Sequence, residues 1–312
     1  MDKISFVIPC YHSERTIEQV VNEIRQKMQE IQSDYEVILV NDASPDNTFE
    51  VIKRIAQTDN RVTAVNFAKN FGQHAALMAG FSFVTGDVVC CLDDDGQTPA
   101  MEVDRLLNKL DDGFDVVYAR YAHKKHSLFR NLGSRVNAKM TEVMLGKPKD
   151  LYISSYFVAR RFVIDKMLEY RQAYPYVIGL VLRTTGKITD VEVHHRDREI
   201  GESGYTFRKL INLWMNGFTA FSVMPLRIAS FAGVVSAMFG FVYMLYTIIH
   251  KICNPNVVMG WSSTISAILF IGGVILMVLG MIGEYIGRIY ICINNSPQYV
   301  IRDIVSSENR GR

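Results

Sequence analysis

Three consecutive carboxylates, Asp93, Asp94 and Asp95, are the side chains whose type and spacing point most directly to chemistry. They follow an apolar run that is predicted to be a buried strand over residues 87–92. Because side chains alternate along an extended segment, Asp93 and Asp95 are expected on one side and Asp94 on the other. Carboxylates this close repel each other unless a cation or a proton lies between them. Together with the carbonyl of Gln97, this all-oxygen set suits Mg²⁺ or Mn²⁺ rather than zinc. An acidic turn is the alternative, and the apolar strand before it argues against that.

The segments around the carboxylates alternate between short apolar runs and amphipathic stretches. Strands are predicted over residues 4–9, 37–40, 62–67, 87–92 and 115–118, and helices over 14–31, 74–84 and 101–110. Asn47 is predicted to cap a further helix, with Glu50 completing a capping box. Near-continuous apolar strands separated by helices predict an α/β fold with a mostly parallel sheet covered on both faces. Ligands of such sheets bind at the carboxyl ends of the strands, where the three carboxylates lie.

A basic segment follows the acidic cluster. Six positively charged residues lie in it: Arg120, Lys124, Lys125, Arg130, Arg135 and Lys139. We interpret this segment as an anion-binding lid, and a solvated helix face with a loop is the alternative. The net charge of only +2 over 312 residues indicates no particular partner, and no nucleic acid is expected. The five cysteines form no CxxC pair, which favours buried, reduced thiols in a reducing cytoplasm.

The chain changes character after residue 204. Residues 205–221 are predicted to form a basic, aromatic-rich amphipathic helix that lies in a membrane interface, with a core-packed helix as the alternative. Segments 228–249 and 264–283 each approach the roughly 20 residues that cross a bilayer. Lys251 is the only formally charged residue between positions 228 and 283. The positive-inside rule then predicts a two-helix hairpin with both ends in the cytoplasm. We therefore expect a multi-pass protein of the inner membrane.

Several motifs resemble those of the family 2 glycosyltransferases. They are Phe-Val-Ile-Pro-Cys-Tyr at 6–11, Val-Asn-Asp-Ala-Ser at 40–44, Asn-Phe-Gly-Gln-His-Ala-Ala-Leu at 70–77, and the run at 93–97. Residues 198–205 resemble the RxxGxSxY signature of the polyprenyl-phosphate members, and Gly-Glu-Tyr-Ile-Gly-Arg-Ile-Tyr at 283–290 is similar to the same subgroup. That subgroup includes the bactoprenol glucosyltransferases and the undecaprenyl-phosphate 4-deoxy-4-formamido-L-arabinose transferases. The resemblance extends from about residue 4 to residue 302.

The resemblance implies a GT-A fold and a reaction. A sugar would pass, with inversion, from a nucleotide diphosphate donor, UDP-linked in these relatives, to polyprenyl (undecaprenyl) phosphate on the cytoplasmic face. The product would serve cell-envelope glycan or lipid modification. It also implies a divalent metal, Mg²⁺ or Mn²⁺, and a homo-oligomer, a tetramer in the family.

The resemblance also implies roles for individual residues. The nucleotide would be bound by Pro9, Tyr11, Glu14, Asn41, Asp42 and Asp94. The metal would be held by Asp93, Asp95 and Gln97. The acceptor phosphate would be bound by Arg130, Arg135, Arg198 and Ser203. Catalysis would depend on Asp93, Asp95, Arg130 and Arg198.

The chain departs from the family pattern at three places. The Tyr-Asn-Glu-Glu of many members reads Tyr-His-Ser-Glu at 11–14. Relatives usually have two aspartates where this chain has Asn41 and Asp42, so Asn41 can hydrogen-bond a base or ribose but brings no charge. Many relatives also have an acid followed by an arginine within 150–157, whereas Asp150 is the only acid here and Phe157 replaces the arginine. No catalytic base is therefore assigned. A phosphate monoester carries about −1.5 to −2 charges at neutral pH and attacks without deprotonation.

These features predict four parts: a catalytic domain at 1–204, an interface helix at 205–224, two transmembrane helices within 225–290, and a cytoplasmic tail at 291–312. The two alternative functions are a processive polysaccharide synthase and a non-enzymatic membrane scaffold. A processive polysaccharide synthase typically carries Gln-x-x-Arg-Trp, but neither Trp214 nor Trp261 is preceded by that pattern. A non-enzymatic membrane scaffold with a nucleotide-binding fold is disfavoured by the intact set of Asp93, Asp95 and Gln97.

Overall fold

The computed structural model describes residues 3–96, 98–121, 147–194, 224–254, 260–294 and 296–307. The chain forms two compact units, one of Met1–Tyr205 with Asn295–Arg312 and the other of Thr206–Asn294. The predicted interface helix at 205–221 lies outside the described residues.

Within the described residues, the first unit is built on a sheet of eight strands. They are β1 (Ile4–Cys10), β2 (Tyr35–Asn41), β3 (Val62–Phe67), β4 (Val88–Cys91), β5 (Val116–Tyr121), β6 (Phe157–Arg160), β7 (Ile188–Val193) and β8 (Ile301–Val305), in the order β7-β5-β6-β4-β1-β2-β3-β8. β1 runs parallel to β2 and β4, β2 to β3, and β5 to β7. β6 is antiparallel to β4 and β5, and β8 to β3. The predicted α/β fold with a mostly parallel sheet is confirmed.

Helices cover both faces of this sheet. They are α1 (Ile17–Glu30), α2 (Thr48–Thr58), α3 (Gln73–Phe81), α4 (Val103–Asp111, after a 3₁₀ turn at Ala100–Glu102), α5 (Arg161–Leu168) and α6 (Val177–Thr184). α1, α2 and α4 bury aliphatic side chains in the same hydrophobic cluster as Phe6 and Ile8 of β1. Because side chains alternate, Val7 faces the other side, where α3 packs. A Cβ on Gly80 of α3 would lie 2.4 Å from Val7 Cγ1, so only glycine permits this close approach.

The start of α2 corrects one prediction. Asn47 is the N-cap residue, but its side chain makes no capping hydrogen bond, so the predicted capping box was wrong. Asp46 Oδ1 instead accepts the Thr48 N–H at 3.2 Å and the Thr48 hydroxyl at 2.6 Å. A carboxylate is favoured over an amide at this position because the helix N-terminus carries a partial positive charge.

The second unit contains two long helices, α7 (Met224–Cys253) and α8 (Trp261–Ile293), which extend beyond the two predicted spans. Among the described residues, one 18-residue stretch, Phe270–Gly287 of α8, is long and apolar enough to cross a membrane. The apolar stretch of α7, Gly233–Tyr243, is shorter.

After α8 the chain belongs again to the first unit and forms the edge strand β8, where the sequence predicts only a tail. Ala68 N–H donates to the Val300 carbonyl at 2.9 Å, and the ring of Tyr299 stacks on Phe67 at 5.5 Å. Because β8 is antiparallel to β3, it begins at the carboxyl end of β3. The C-terminal segment therefore enters the sheet at the carboxyl ends of the parallel strands, where ligands of such sheets bind.

Candidate active site

Asp93 lies just after β4 and both of its carboxylate oxygens are held by other elements. Gln73 Nε2, on the first residue of α3, donates to Asp93 Oδ1 at 3.1 Å. The Ser155 hydroxyl donates to Asp93 Oδ2. Ser155 precedes β6, the neighbour of β4 in the sheet. The orientation of the Asp93 carboxylate is therefore fixed from two sides.

Asp94 faces a different part of the site, the loop between β1 and α1. Its Oδ2 accepts the Tyr11 N–H at 2.8 Å and the hydroxyl of Ser13. Its backbone carbonyl accepts the Thr16 hydroxyl at 2.6 Å. Tyr11 itself is 47% exposed, so its ring is available to a ligand while its backbone is fixed.

The local electrostatics suit a cation. Burial, with the nearby charges of Asp95 and Asp94 in addition, raises the pKa of Asp93 to about 6, although the bonds from Ser155 and Gln73 act to lower it. Burial and then the charges of Asp93, Tyr152 and Asp95 raise the pKa of Tyr121, at the end of β5. A bound cation would relieve this repulsion between carboxylates.

The set of donors fits a hard divalent ion that shares its ligands with a substrate. Among the described residues, no group of three His, Cys, Asp or Glu side chains could hold a metal ion. Mg²⁺ is commonly held by one or two carboxylates with waters and substrate phosphates as its other ligands. Asp93 and Asp95 match that arrangement, whereas the predicted third ligand, Gln97, lies outside the described residues.

Asp42 holds the loop that begins α3. Its Oδ1 accepts the Phe71 N–H at 2.7 Å and its Oδ2 accepts the Gly72 N–H at 2.8 Å. Burial raises the pKa of Asp42, while these two bonds act to lower it. Gly72 has φ +91°, a conformation that favours glycine, and Gln73 follows it directly. Asp42 thus fixes the backbone that presents Gln73 to Asp93, and its contact with a nucleotide stays a prediction.

The other predicted nucleotide-binding residues lie at the same edge. Pro9 is buried in β1, and Asn41, 2% exposed, bonds to its sheet neighbour Asn66. Glu14 Oε2 accepts the Asn47 N–H at 3.1 Å, which joins the loops after β1 and β2. These residues lie at the carboxyl ends of β1 and β2 or in the loops that follow, and nucleotide binding by each stays a prediction.

Several predictions concern residues elsewhere. Asp150 lies in an exposed turn, and Arg120 pairs with Asp190 at 3.2 Å, so that one cation of the proposed lid is already engaged. Four predicted phosphate-binding residues lie outside the described residues: Arg130, Arg135, Arg198 and Ser203.

The sequence reading missed four side chains that orient this site: Ser13, Asp46, Gln73 and Ser155. Three of them lie inside segments compared above with the family: Ser13 within 11–14, Gln73 within 70–77 and Ser155 within 150–157. Nothing local marks Gln73 or Ser155 as a partner of Asp93, from which they are 20 and 62 residues away.

Comparisons with known proteins agree with this arrangement. The family model for glycosyl transferase family 2 matches residues 5–168, and the GtrB C-terminal hairpin matches residues 224–289. The chain is 34% identical to the undecaprenyl-phosphate 4-deoxy-4-formamido-L-arabinose transferase of Yersinia enterocolitica, over 98% of this chain and 94% of that protein. It is 35% identical to the protein of the same name from Proteus mirabilis, over 98% and 94%. It is 32% identical to the uncharacterized glycosyltransferase YkcC of Bacillus subtilis, over 98% and 95%.

Solved structures share the fold. Glucosyl-3-phosphoglycerate synthase of Mycobacterium tuberculosis superimposes with a TM-score of 0.50 at 20% identity, over 67% of this chain and 75% of that one. The same enzyme in complex with Mn²⁺ and UDP-glucose gives a TM-score of 0.50 at 22% identity, over 69% and 79%. With the family model covering more than half of its length and relatives aligned almost end to end, the chain belongs to glycosyl transferase family 2.

Proposed function

We propose that this glycosyltransferase moves a sugar from a nucleotide diphosphate donor, UDP-linked, to undecaprenyl phosphate. The observation that carries the proposal is the acidic cluster after β4, in which Gln73 and Ser155 fix the carboxylate of Asp93. The names of the Yersinia and Proteus relatives, aligned over 98% of this chain, support the acceptor. Cell-envelope glycan or lipid modification follows as the wider role.

The donor binds at the carboxyl edge of the sheet. Pro9, Tyr11, Glu14, Asn41, Asp42 and Asp94 form the nucleotide pocket. Asp93 and Asp95, with Gln97, would hold Mg²⁺ or Mn²⁺, which when bound offsets the negative charge of the diphosphate. The hydrogen bond from the Tyr11 N–H to Asp94 fixes the loop that carries Tyr11 relative to the acidic cluster after β4.

The reaction is a single displacement. An oxygen of the acceptor phosphate attacks the anomeric carbon, and a new carbon–oxygen bond to that phosphate forms. The bond to the diphosphate breaks, and its electron pair leaves with the nucleoside diphosphate, so the configuration inverts. No base is required, because the acceptor is already an anion, with about −1.5 to −2 charges. Arg130, Arg135, Arg198 and Ser203 are proposed to bind that phosphate, since guanidinium groups bind it through two parallel hydrogen bonds.

The second unit anchors the enzyme where its lipid acceptor resides. We infer that α7 and α8 both cross the inner membrane and that the catalytic unit faces the cytoplasm, as a homo-oligomer, a tetramer. The match to the GtrB hairpin, the apolar Phe270–Gly287 stretch and the distribution of basic residues support this topology.

The test is transfer by the purified protein in detergent. We would supply a panel of UDP-sugars with Mg²⁺ or Mn²⁺ and undecaprenyl phosphate, and measure sugar that becomes extractable into organic solvent. One UDP-sugar should give product with undecaprenyl phosphate and none with undecaprenol, which lacks the phosphate nucleophile. Asp95→Asn should lower turnover at least 100-fold, the scale of losing an electrostatic group at a transition state.

The matched control is Asp112→Asn, which removes an exposed carboxylate paired with Lys109 on the surface, and it should keep wild-type turnover. Full turnover by Asp95→Asn, or product with undecaprenol, would contradict the proposal.

A further inference from the structure

A row of hydrogen-bonded side chains crosses three strands of the sheet and ends in the C-terminal strand β8. Asn66 Nδ2 donates to Asp303 Oδ2 at 2.9 Å, and Asn41 Nδ2 donates to Asn66 Oδ1 at 2.8 Å. Asn41 Oδ1 in turn accepts the Ser44 N–H at 3.3 Å. The backbone pairing places Asn41 directly beside Asn66, and Asn66 directly beside Asp303. The carboxylate of β8 is thereby connected to the loop after β2.

The direction of this row is set by Asp303. An ionised carboxylate can only accept hydrogen bonds, so Asn66 must turn its NH₂ group toward β8 and its oxygen toward β2. Asn41 must then donate to Asn66, which leaves its own oxygen for the Ser44 N–H. An aspartate at position 41 could not donate in this way. The residue types at positions 41 and 303 are therefore coupled.

The far end of the row fixes two loops of the site. The Ser44 hydroxyl accepts the His12 N–H at 2.8 Å and donates to Asp46 Oδ1 at 2.6 Å. Ala43 and His12 have φ of +50° and +60°, which residues other than glycine adopt where their surroundings enforce it. These loops carry Tyr11 and Asp42, two of the residues proposed to bind the nucleotide.

We propose that Asp303 is a positioning residue of the donor pocket, which acts through Asn66 and Asn41 and touches no substrate. The inference rests on the proposed function, because it assigns the loops after β1 and β2 to the nucleotide. The C-terminal strand β8 then contributes to donor binding, because its Asp303 sets the orientation of the Asn66 and Asn41 amides on which the loops after β1 and β2 depend.

The test exchanges the two residue types. Asn41→Asp puts a carboxylate at each end of the row, so that one of them faces the Asn66 oxygen. The KM for the nucleotide sugar should rise about tenfold, the effect of one mis-paired buried hydrogen bond, while kcat changes less than about threefold. Asp303→Asn alone keeps a carbonyl oxygen that accepts the same bond but no longer excludes the reversed amide orientation, so its KM should rise less than that of Asn41→Asp.

The double variant Asn41→Asp/Asp303→Asn is decisive. Asn66 can then turn over, donate to the new carboxylate and accept from the new amide, while the second oxygen of the residue at 41 still accepts the Ser44 N–H. The KM should return to within about threefold of wild type, so that Asp303→Asn improves a protein that already carries Asn41→Asp. Asp112→Asn is the control for the loss of one negative charge.

Two results would overturn the assignment. In the first, the donor KM of the double variant is no lower than that of Asn41→Asp. In the second, the variants change Tm but leave the donor KM constant. The second result would leave the three side chains with a purely structural role. Wild-type protein assayed in parallel distinguishes a failure of the proposed function from a failure of the role proposed for Asp303. Absence of transfer by wild type contradicts the proposed function, whereas transfer by wild type without recovery in the double variant contradicts the role of Asp303 alone.

Discussion

At the residue scale, the site depends on neutral groups that orient charged ones. Asp93 stands among other carboxylates and is held by an amide from α3 and a hydroxyl from the segment before β6. Bonds of this kind to a charged group contribute about 1.5–3 kcal/mol, more than a neutral pair. Their removal should therefore affect both the reaction and the stability of the fold.

We expect Ser155→Ala to lower kcat about tenfold, because one side of the Asp93 carboxylate is released, and to lower Tm by about 3–12 °C, the scale of losing such a bond in a unit of this size. Without a bound metal ion, the Ser155 bond lowers the pKa of Asp93, so its loss should raise that pKa further above about 6 and make protons compete more strongly with the metal ion. The acid limb of the pH–rate profile should then move to higher pH, as measured by turnover between pH 5 and pH 9, roughly the range in which such groups titrate.

The neighbouring serine provides the control for this change. The Ser154 hydroxyl donates to the Tyr156 carbonyl at 2.8 Å, so Ser154→Ala should leave the pH profile in place. Ser155→Thr retains a hydroxyl and should recover most of kcat. If Ser155→Ala and Ser154→Ala behave alike, Ser155 does not orient Asp93.

At the scale of elements, the position of Gln73 depends on how closely α3 packs on the sheet. Gly80→Ala places a Cβ against Val7 and should cost about 1–3 kcal/mol, measured as a fall in Tm of the catalytic unit. Val7→Ala in the same protein should restore part of the loss, because it removes the atom that the new methyl meets. Gly186→Ala is the control, since its Cβ would meet nothing within 4 Å. Equal Tm for Gly80→Ala and Gly186→Ala would show that α3 packs less closely.

Glu36 joins elements at the opposite end of the strands. It accepts the Ser5 hydroxyl at 2.6 Å, the Thr85 N–H at 2.5 Å and the Lys3 ammonium at 3.1 Å. Burial alone would raise the pKa of Glu36, but these hydrogen bonds lower it below the ordinary 4.5. A carboxyl with a depressed pKa stabilises the fold above its unfolded pKa, and the contribution disappears as pH falls through the folded pKa.

We therefore expect Glu36→Gln to lower Tm at pH 7 and to match wild type increasingly well as the pH drops below about 4.5. Thermal unfolding in detergent at a series of pH values measures this difference. Glu50→Gln, at an exposed ion pair with Lys53, should show no such pH dependence. A constant Tm difference between Glu36→Gln and wild type at every pH would contradict the assignment.

At the scale of the whole molecule, the prediction concerns topology. If both α7 and α8 cross the membrane, the link between them faces the periplasm and both termini face the cytoplasm. In a protein whose Cys253 and Cys292 are changed to serine, Asn256→Cys should react with a membrane-impermeant maleimide in intact cells. Ser307→Cys, in the C-terminal segment, should react only after permeabilisation. Labelling of Asn256→Cys only after permeabilisation would leave the hairpin on the cytoplasmic side.

The sequence by itself determined what depends on neighbours along the chain. Apolar periodicity predicted the strands β1 to β5 and the helices between them, because the spacing of apolar residues along the chain reflects which side chains are buried. The run Asp93 to Asp95 could be recognised because its residues are contiguous in the sequence. The family could be recognised because its motifs are short segments of five to eight residues.

Only the tertiary structure decided which distant side chains meet. Asn66 and Asp303 are 237 residues apart and pair because β8 returns to the edge of β3 after the hairpin. Ser155 reaches Asp93 because β6 inserts between β4 and β5. Even at the start of α2, the side chain that accepts the first helical N–H is that of Asp46, while Asn47 is the N-cap residue and makes no capping bond. The spacing of apolar residues along the chain determines which face of a strand or helix is buried. The partner of a polar group is instead determined by the strand order, which brings the two groups within hydrogen-bonding distance.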